Sequence, residues 1–385
     1  MFLKSLKSKW ALGAVFALFC IFSPIALKAS LSDFDGNGKV DFADFLLFVA
    51  VFGQSAAGQN AIYDLDASGT VDFGDFLIFA SAFGQPVSDT VRGVSTQGFA
   101  TQTISNLLDC PGGRISRVGT ITSDDGNVWI MPAETQYTTA RHASDMYNQC
   151  TGVFTSNSSA LNLSVVPVVE IDQDGETITG YIFADNYFEL YVNGTLIAVD
   201  AVPFTPFNSS MVRFKVKRPF TIAMKLVDWE ENLGLGTEAN RNFLYHPGDG
   251  GLVASFHDAN GNAVAITNGQ WKAQTFYIAP IRDLSCIVEK ETEHLSGDCD
   301  TRGTNDGSQF YAMHYPVPSD WYDSDFDDSA WPWAYTYTNA TVGVNNKPAY
   351  TNFTDLFDNP EHDAQFIWSS NLILDNEVIV RYTVK

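Results

Sequence analysis

Basic side chains are scarce in this chain. Lys and Arg number 22 against 45 Asp and Glu, for a formal net charge of -23. A surface so short of cations cannot neutralise a phosphate backbone, which excludes nucleic acid as a partner. It suits a protein that attracts cations. Long apolar runs are equally scarce: beyond residues 10–25 no stretch is long enough to cross a bilayer. There are five cysteines and no Cys-x-x-Cys, so neither a zinc ribbon nor a redox dithiol is supported. None of the six histidines falls in a His-x-His or His-x-x-x-His pair. Neither Gly-x-Ser-x-Gly nor a Gly-rich phosphate loop with Lys occurs.

The one long apolar run belongs to the N-terminus. Lys4, Lys7 and Lys9 precede it, and Ala-Leu-Lys-Ala at 26–29 follows with a small residue at the cut. This order reads as a signal peptide over 1–29, cleaved near Ala29, and places the mature chain outside the cell or at its surface with no membrane segment. Cleavage removes Cys20 and leaves four cysteines. An even number in an exported chain implies two disulfides. Of the three connectivities, Cys110–Cys150 and Cys286–Cys299 are favoured because each joins the nearest pair in sequence.

A repeat with a period of 31 residues follows at once. Asp33-Phe-Asp-Gly-Asn-Gly-Lys-Val-Asp-Phe-Ala-Asp44 returns as Asp64-Leu-Asp-Ala-Ser-Gly-Thr-Val-Asp-Phe-Gly-Asp75. Calcium takes six to eight oxygens, and a twelve-residue EF-hand loop supplies them from positions 1, 3, 5, 7, 9 and 12 around a turn glycine at 6. The first loop offers Asp33, Asp35, Asn37, the Lys39 carbonyl, Asp41 and Asp44. The second offers Asp64, Asp66, Ser68, the Thr70 carbonyl, Asp72 and Asp75. Two calcium ions are expected. Val40 and Val71, at position 8, are expected to form a small β-bridge between the loops. Each loop runs into a short apolar helix. Phe42, Phe45, Leu46, Val49 and Phe52 fall on one helical face, as do Phe73, Phe76, Leu77, Ala80 and Phe83. These faces are expected to pack on each other, and Gly53 and Gly84 to close the helices.

The segment resembles type I dockerin modules, two loop-helix repeats without the incoming helix of an EF-hand. The resemblance covers about 55 residues of the chain. It implies a calcium-binding module that docks onto a cohesin and so attaches polysaccharide-degrading enzymes to a scaffold. The family reads its partner through positions 10 and 11 of each loop, with small polar or basic residues. Phe42, Ala43, Phe73 and Gly74 stand there in this chain and depart from that pattern.

Residues 86–100 read as a linker after a module over 30–85. From 101 to 385 short alternating apolar runs are set off by Asn-Gly, Asp-Gly and Pro. Strands are expected over 179–183, 188–192, 197–199, 212–216, 220–226, 252–256 and 378–384. Asn193-Gly194 and Asp174-Gly175 are expected to turn hairpins, and 138–149 is open to a helix. The fold class expected is therefore multidomain α+β: a small all-α EF-hand pair, then a large all-β, jelly-roll-like sandwich. Residues 181–194, 321–332 and 366–383 resemble pieces of galactose-binding-like jelly rolls, which implies such a domain from about 160. Domains of that kind often bind sugars.

Trp229, Trp271, Trp321, Trp331, Trp333 and Trp368 are candidate stacking faces for pyranose rings, the run 331–337 being the best exposed candidate. Asp185, Asp228, Glu230 and Glu231 stand near aromatic strands. Glycoside hydrolysis needs two carboxylates about 5–10 Å apart. Glu230 and Glu231, adjacent in sequence, would point apart on a strand. The leading expectation is a secreted calcium-binding protein with a non-catalytic β-sandwich that recognises carbohydrate or a cell surface, the module's partner being a glycan, a cohesin-like protein or a cell-surface protein. The alternative is a polysaccharide-degrading glycoside hydrolase component carrying a dockerin. A structural surface protein with no small ligand is a third reading.

Overall fold

The computed structural model describes Ser32, Phe34 and residues 40–385 apart from 57, 67, 85–92, 239–245, 291, 301–306 and 308, with backbone alone at 58, 59 and 61. The expected signal peptide and the first-loop positions Asp33, Asp35, Asn37 and Lys39 lie outside these residues. The chain divides into two compact units, Met1–Asp89 and Thr90–Lys385.

In the first unit, helices span Phe42–Val51 and Phe73–Ala82, joined through the 3-10 turn Gly58–Tyr63. Each helix begins on a capping box drawn from the repeat. Asp41 and Asp72 cap the amides of Ala43 and Gly74, while Asp44 and Asp75 reach back to the capping residues' own N–H groups. Each ends at a glycine with positive φ, +80° at Gly53 and +77° at Gly84, a conformation that costs a side-chain-bearing residue. The buried face differs from the expected one. Phe48 and Phe79 are fully buried and stack at 5.6 Å with their planes 7° apart. Phe42, Leu46, Val49, Phe52, Phe73, Leu77 and Phe83 are exposed instead. Val40 and Val71 are also buried, but the expected bridge between them is replaced. The Gly53 N–H donates to the Val71 carbonyl at 2.7 Å and the Gly84 N–H to the Val40 carbonyl at 2.8 Å. The isolated bridge in this unit joins Ser55 to Thr70.

The second unit is built mostly of β-structure. Among the described residues one sheet has seven strands, in the order Val94–Gln97, Tyr311–His314, Lys272–Ile281, Asp375–Val384, Phe220–Val227, Tyr187–Val192 and Thr195–Val199. A second sheet of nine strands is centred on Gly251–His257, Glu176–Asp185 and Ser209–Val216. The main core fills the space between them: Ile178, Ile182 and Phe214 of the second sheet pack in one cluster with Leu190, Met224 and Val380 of the first. The pair is a β-sandwich, and its chain steps repeatedly from sheet to sheet as jelly rolls do. Val94–Gln97 pairs with Tyr311–His314, so part of the stretch read as a linker is an edge strand of the sandwich.

Asn193 and Gly194, at φ 47° and 78°, make the two-residue turn between paired strands Tyr187–Val192 and Thr195–Val199. Asp174-Gly175 also turns, but it joins Val168–Glu170 to Glu176–Asp185, which both pair with Ser209–Val216 rather than with each other. The segment open to a helix carries the strand Ser144–Asn148 instead, pairing with Ser209–Val216 and with Val153–Phe154. Disulfides join Cys110 to Cys150 and Cys286 to Cys299. Among the described residues no helix is long and apolar enough to cross a membrane.

Candidate functional site

Among the described residues, two gatherings of acidic side chains are candidate sites. The first is the second loop of the repeat. Asp75 is fully buried and organises the loop: its Oδ1 accepts from the N–H groups of Leu65 at 2.6 Å and Asp66 at 3.0 Å, and its Oδ2 from Asp72 N–H at 2.8 Å. Asp44 does the same work in the first repeat, accepting from Phe34 and Asp41 at 2.6 and 2.9 Å. Asp64 accepts from the amides of Ser68 and Gly69 at 3.0 and 2.8 Å, which draws the chain into a tight turn, and the Ser68 hydroxyl donates to the Thr70 carbonyl at 3.1 Å. Asp64, Asp66 and Asp75 thereby bring one oxygen each within 4.8 Å of one another. Asp72 is turned to its capping role on Gly74 N–H, at 2.8 Å. Hard oxygen donors gathered at this spacing suit a calcium-sized cation. In the first loop only Asp41 and Asp44 lie among the described residues.

The second place is a cavity of about 600 Å³ in the sandwich. Asp185, Glu238 and Asp249 line it together with Arg114, His246 and Lys347. Asp185 ends the strand Glu176–Asp185, where the chain leaves one sheet for the other, and its Oδ1 takes one hydrogen bond, 2.7 Å from the Asn186 side-chain amide. Asp228 follows the strand Phe220–Val227 and lies just behind the cavity wall. A Cβ built on Gly248 would fall 2.9 Å from both its carboxylate oxygens, so only glycine allows the wall to run so close. Arg114 pairs with Glu238, and the Lys347 ammonium sits 4.6 Å from the ring centre of Phe207.

Asp185, Asp228 and Asp249 share a shift of one sign. Burial, reinforced by the charges of Asp249 and Glu238, holds the Asp185 carboxyl well above the usual carboxylate range. Burial with Glu238, Asp185 and Asp249 does the same to Asp228. Asp249 is pushed up to about 6 by burial and by Glu238. A cavity that crowds acids in this way favours their protonated forms, and a protonated carboxyl offers a hydroxyl donor as well as an acceptor to a ligand.

Of the carboxylates singled out in the sequence, Asp185 and Asp228 come together. Glu230 belongs elsewhere: it is buried, accepts from Gly234 N–H at 2.7 Å, from Gly236 N–H and from the Tyr277 hydroxyl at 3.1 Å, and so shapes the 230–236 turn. Glu238, His246 and Asp249 come from one stretch, and Arg114 and Lys347 are contributed by segments far from it in sequence. The run Gly248-Asp249-Gly250-Gly251 was the local signal for one wall, since a Cβ on Gly250 would collide with the Trp368 ring. Among the candidate tryptophans, Trp229, Trp271, Trp321, Trp331 and Trp368 are buried, and Trp333 alone of that set is open, at 58 % exposure. No protein-family model matches the chain, and no curated protein and no solved structure is significantly similar to it.

Proposed function

We propose that this chain is an exported calcium-binding protein whose sandwich recognises carbohydrate in the carboxylate-lined cavity. The convergence of Asp64, Asp66 and Asp75 carries the calcium part of the reading. Three carboxylates held this close repel one another, and a divalent cation relieves the repulsion; the first loop repeats the pattern and supplies the second ion. The dockerin-like reading of the module, and with it a docked protein partner, follows from the same repeat. The two disulfides suit an oxidising compartment outside the cell. Calcium titrated into the chelator-treated chain is expected to release heat with a stoichiometry of two. A flat calorimetric trace removes the reading.

The sandwich part rests on the cavity. Its volume lies within the range of about 300–1,000 Å³ typical of small-ligand sites, and its walls carry convergent polar groups of both signs. Asp185 and Asp249 would take the hydroxyls of a sugar, and Tyr147 and Phe207 supply apolar wall. Retardation of the chain in gels containing soluble polysaccharide, lost in Asp249→Asn, is the expected outcome. Hydrolysis is the second reading, favoured by one observation: neighbouring acids raised by burial and mutual repulsion are the arrangement that keeps one carboxyl protonated beside an ionised partner. Reducing-end release from the retarding polysaccharide, abolished by Asp185→Asn, separates hydrolysis from binding alone.

A further inference from the structure

The acidic cavity of the sandwich holds more negative charge than its own cations answer. Glu238 is already engaged: the Arg114 guanidinium pairs with it, and His246 Nε2 lies 3.9 Å away. Lys347 is the other cation of the wall. Its charge acts on Asp185 and Asp249, but its ammonium sits over the Phe207 ring and forms an ion pair with neither. Asp185 and Asp249 in the wall, with Asp228 just behind it, therefore share one ammonium among three carboxyls.

Their hydrogen bonds are short in number too. Asp185 is only 3 % exposed, and it lines the cavity. Its Oδ1 accepts from the Asn186 side-chain amide, while its Oδ2 accepts from no described residue. That oxygen is not sealed off in the core and keeps surface open to solvent. Asp249 is half-buried in the same wall, and neither of its oxygens accepts from a described residue. Asp228, buried like Asp185, accepts from none either. Buried carboxyls are nearly always hydrogen-bonded, and buried carboxylates are paired as well. Three carboxyls with one hydrogen bond among them leave acceptor positions for a ligand to fill.

Charge decides what fills them. A hydroxyl donates a hydrogen bond but neutralises nothing, so the acids must keep their protons to stay buried. An ammonium brings three N–H donors and a positive charge together, and lets the facing carboxyls ionise and pair. A ligand carboxylate or phosphate meets these acids as a like charge and is disfavoured. The cavity, at about 600 Å³, has room for a sugar ring beside Tyr147 and Phe207.

We propose that the sugar taken by this cavity is an amino sugar, whose ammonium lies between Asp185 and Asp249 while its ring rests on the apolar wall. The proposal rests on the reading of the cavity as a glycan site and names the class of glycan.

The test is calorimetric titration of the full chain with short glucosamine and galactosamine oligosaccharides. Each is compared with its N-acetylated form and with the neutral hexose oligosaccharide of the same linkage. A charge-assisted hydrogen bond contributes about 1.5–3 kcal/mol, so the aminated form is expected to bind about tenfold to a hundredfold tighter than its N-acetylated counterpart. Asp185→Asn and Asp249→Asn are each expected to remove that preference. Asp320→Asn, an exposed acid elsewhere on the sandwich, removes the same charge from the chain and is expected to keep it. Asp249 is only half-buried, so its variant reports on binding even where Asp185→Asn fails to fold, which far-UV circular dichroism shows. Equal or tighter binding of the N-acetylated or neutral forms overturns the proposal and leaves the glycan reading standing. An amine preference that survives in Asp249→Asn overturns it as well, because the attraction then comes from the net charge of the whole chain. A chain that binds none of these sugars, and that no polysaccharide gel retards, overturns both.

Discussion

Asp75 and its counterpart Asp44 show how much one buried carboxylate decides. Asp75 accepts three backbone N–H groups and supplies an oxygen to the acidic cluster of its loop. Asp75→Ala leaves those amides without an acceptor, at about 1–3 kcal/mol for each one that stays buried. It is expected to abolish one of the two calcium heats and to lower the helix signal of the module. Asp72→Ala, which removes mainly a cap, is expected to cost about 1 kcal/mol and to keep two heats of reduced size. Calorimetry and circular dichroism on the two variants separate the roles. The same residues explain what could be read from the repeat and what could not. Loop positions and helix starts are visible because aspartate and glycine recur at set spacing. The phase of the helices is not, because apolar side chains surround them: with Phe42, Phe45, Leu46, Leu47, Phe48 and Val49 in one run, no polar stripe marks an outer face. What sets the phase is the loop. Asp44 and Asp75 must turn inward to close it, and Phe48 and Phe79, one helical turn on, turn inward with them.

At the scale of elements, the middle of the seven-stranded sheet is held by a buried charge network across three adjacent strands. Lys225 of Phe220–Val227 lies opposite Glu189 of Tyr187–Val192, sits 3.1 Å from Glu377 of Asp375–Val384, and donates to the Glu134 carbonyl at 2.9 Å. Burial alone would lower the Lys225 pKa, but Glu377 and Glu189 outweigh it and hold the ammonium charged. Glu189 in turn accepts from the hydroxyls of Tyr187 and Tyr191, each at 3.1 Å. Lys225→Met leaves two carboxylates without their cation and is expected to destabilise the sandwich by about 3–5 kcal/mol, read from the urea midpoint. Adding Glu189→Gln and Glu377→Gln should recover much of that loss, and a triple variant no more stable than the single one would show that packing rather than charge is at stake. Most of these strands were legible: the expected runs at 188–192, 220–226 and 378–384 fall inside observed strands, because alternating β-branched and aromatic residues bounded by turns admit little else. The network was not legible, since Lys225, Glu189 and Glu377 interrupt apolar runs at positions that read as solvent-facing. The acidic cavity was hidden for a related reason. Asp185 and Asp228 each sit at the end of a strand, and only the sheet order brings Glu238 and Asp249 beside them.

For the whole molecule, the buried groups of the sandwich and the proposed calcium ligands of the module are expected to respond to pH with opposite sign. In the sandwich, burial raises Asp200 and Glu230 to about 7 and Asp249 and Asp375 to about 6, holds Asp185 and Asp228 well above the usual range, and raises Glu189 as well. Between an unfolded pKa near 4 and these values the folded state binds more protons than the unfolded chain, so stability rises as pH falls from 7.5 toward 4.5. Histidines act the other way. Burial lowers His294 to about 4 and His314 to about 3, and lowers His257 as well, so each costs stability as pH drops below about 6.5. Seven raised carboxyls against three lowered imidazoles leave the acid-side gain dominant, and protonation also relieves the repulsion of a chain with net charge -23. On the proposed calcium reading the loops of the module reverse this sign, because their carboxylates must be ionised to hold the ion and protons compete with it. In calcium-containing buffer, scanning calorimetry of the full chain is therefore expected to show two transitions that move apart: the transition of the sandwich rises from pH 7.5 to pH 5 while that of the module falls. A sandwich transition that falls over the same interval would mean that the buried carboxyls are ionised in the fold, and the acidic cavity would then need a resident cation to exist at all.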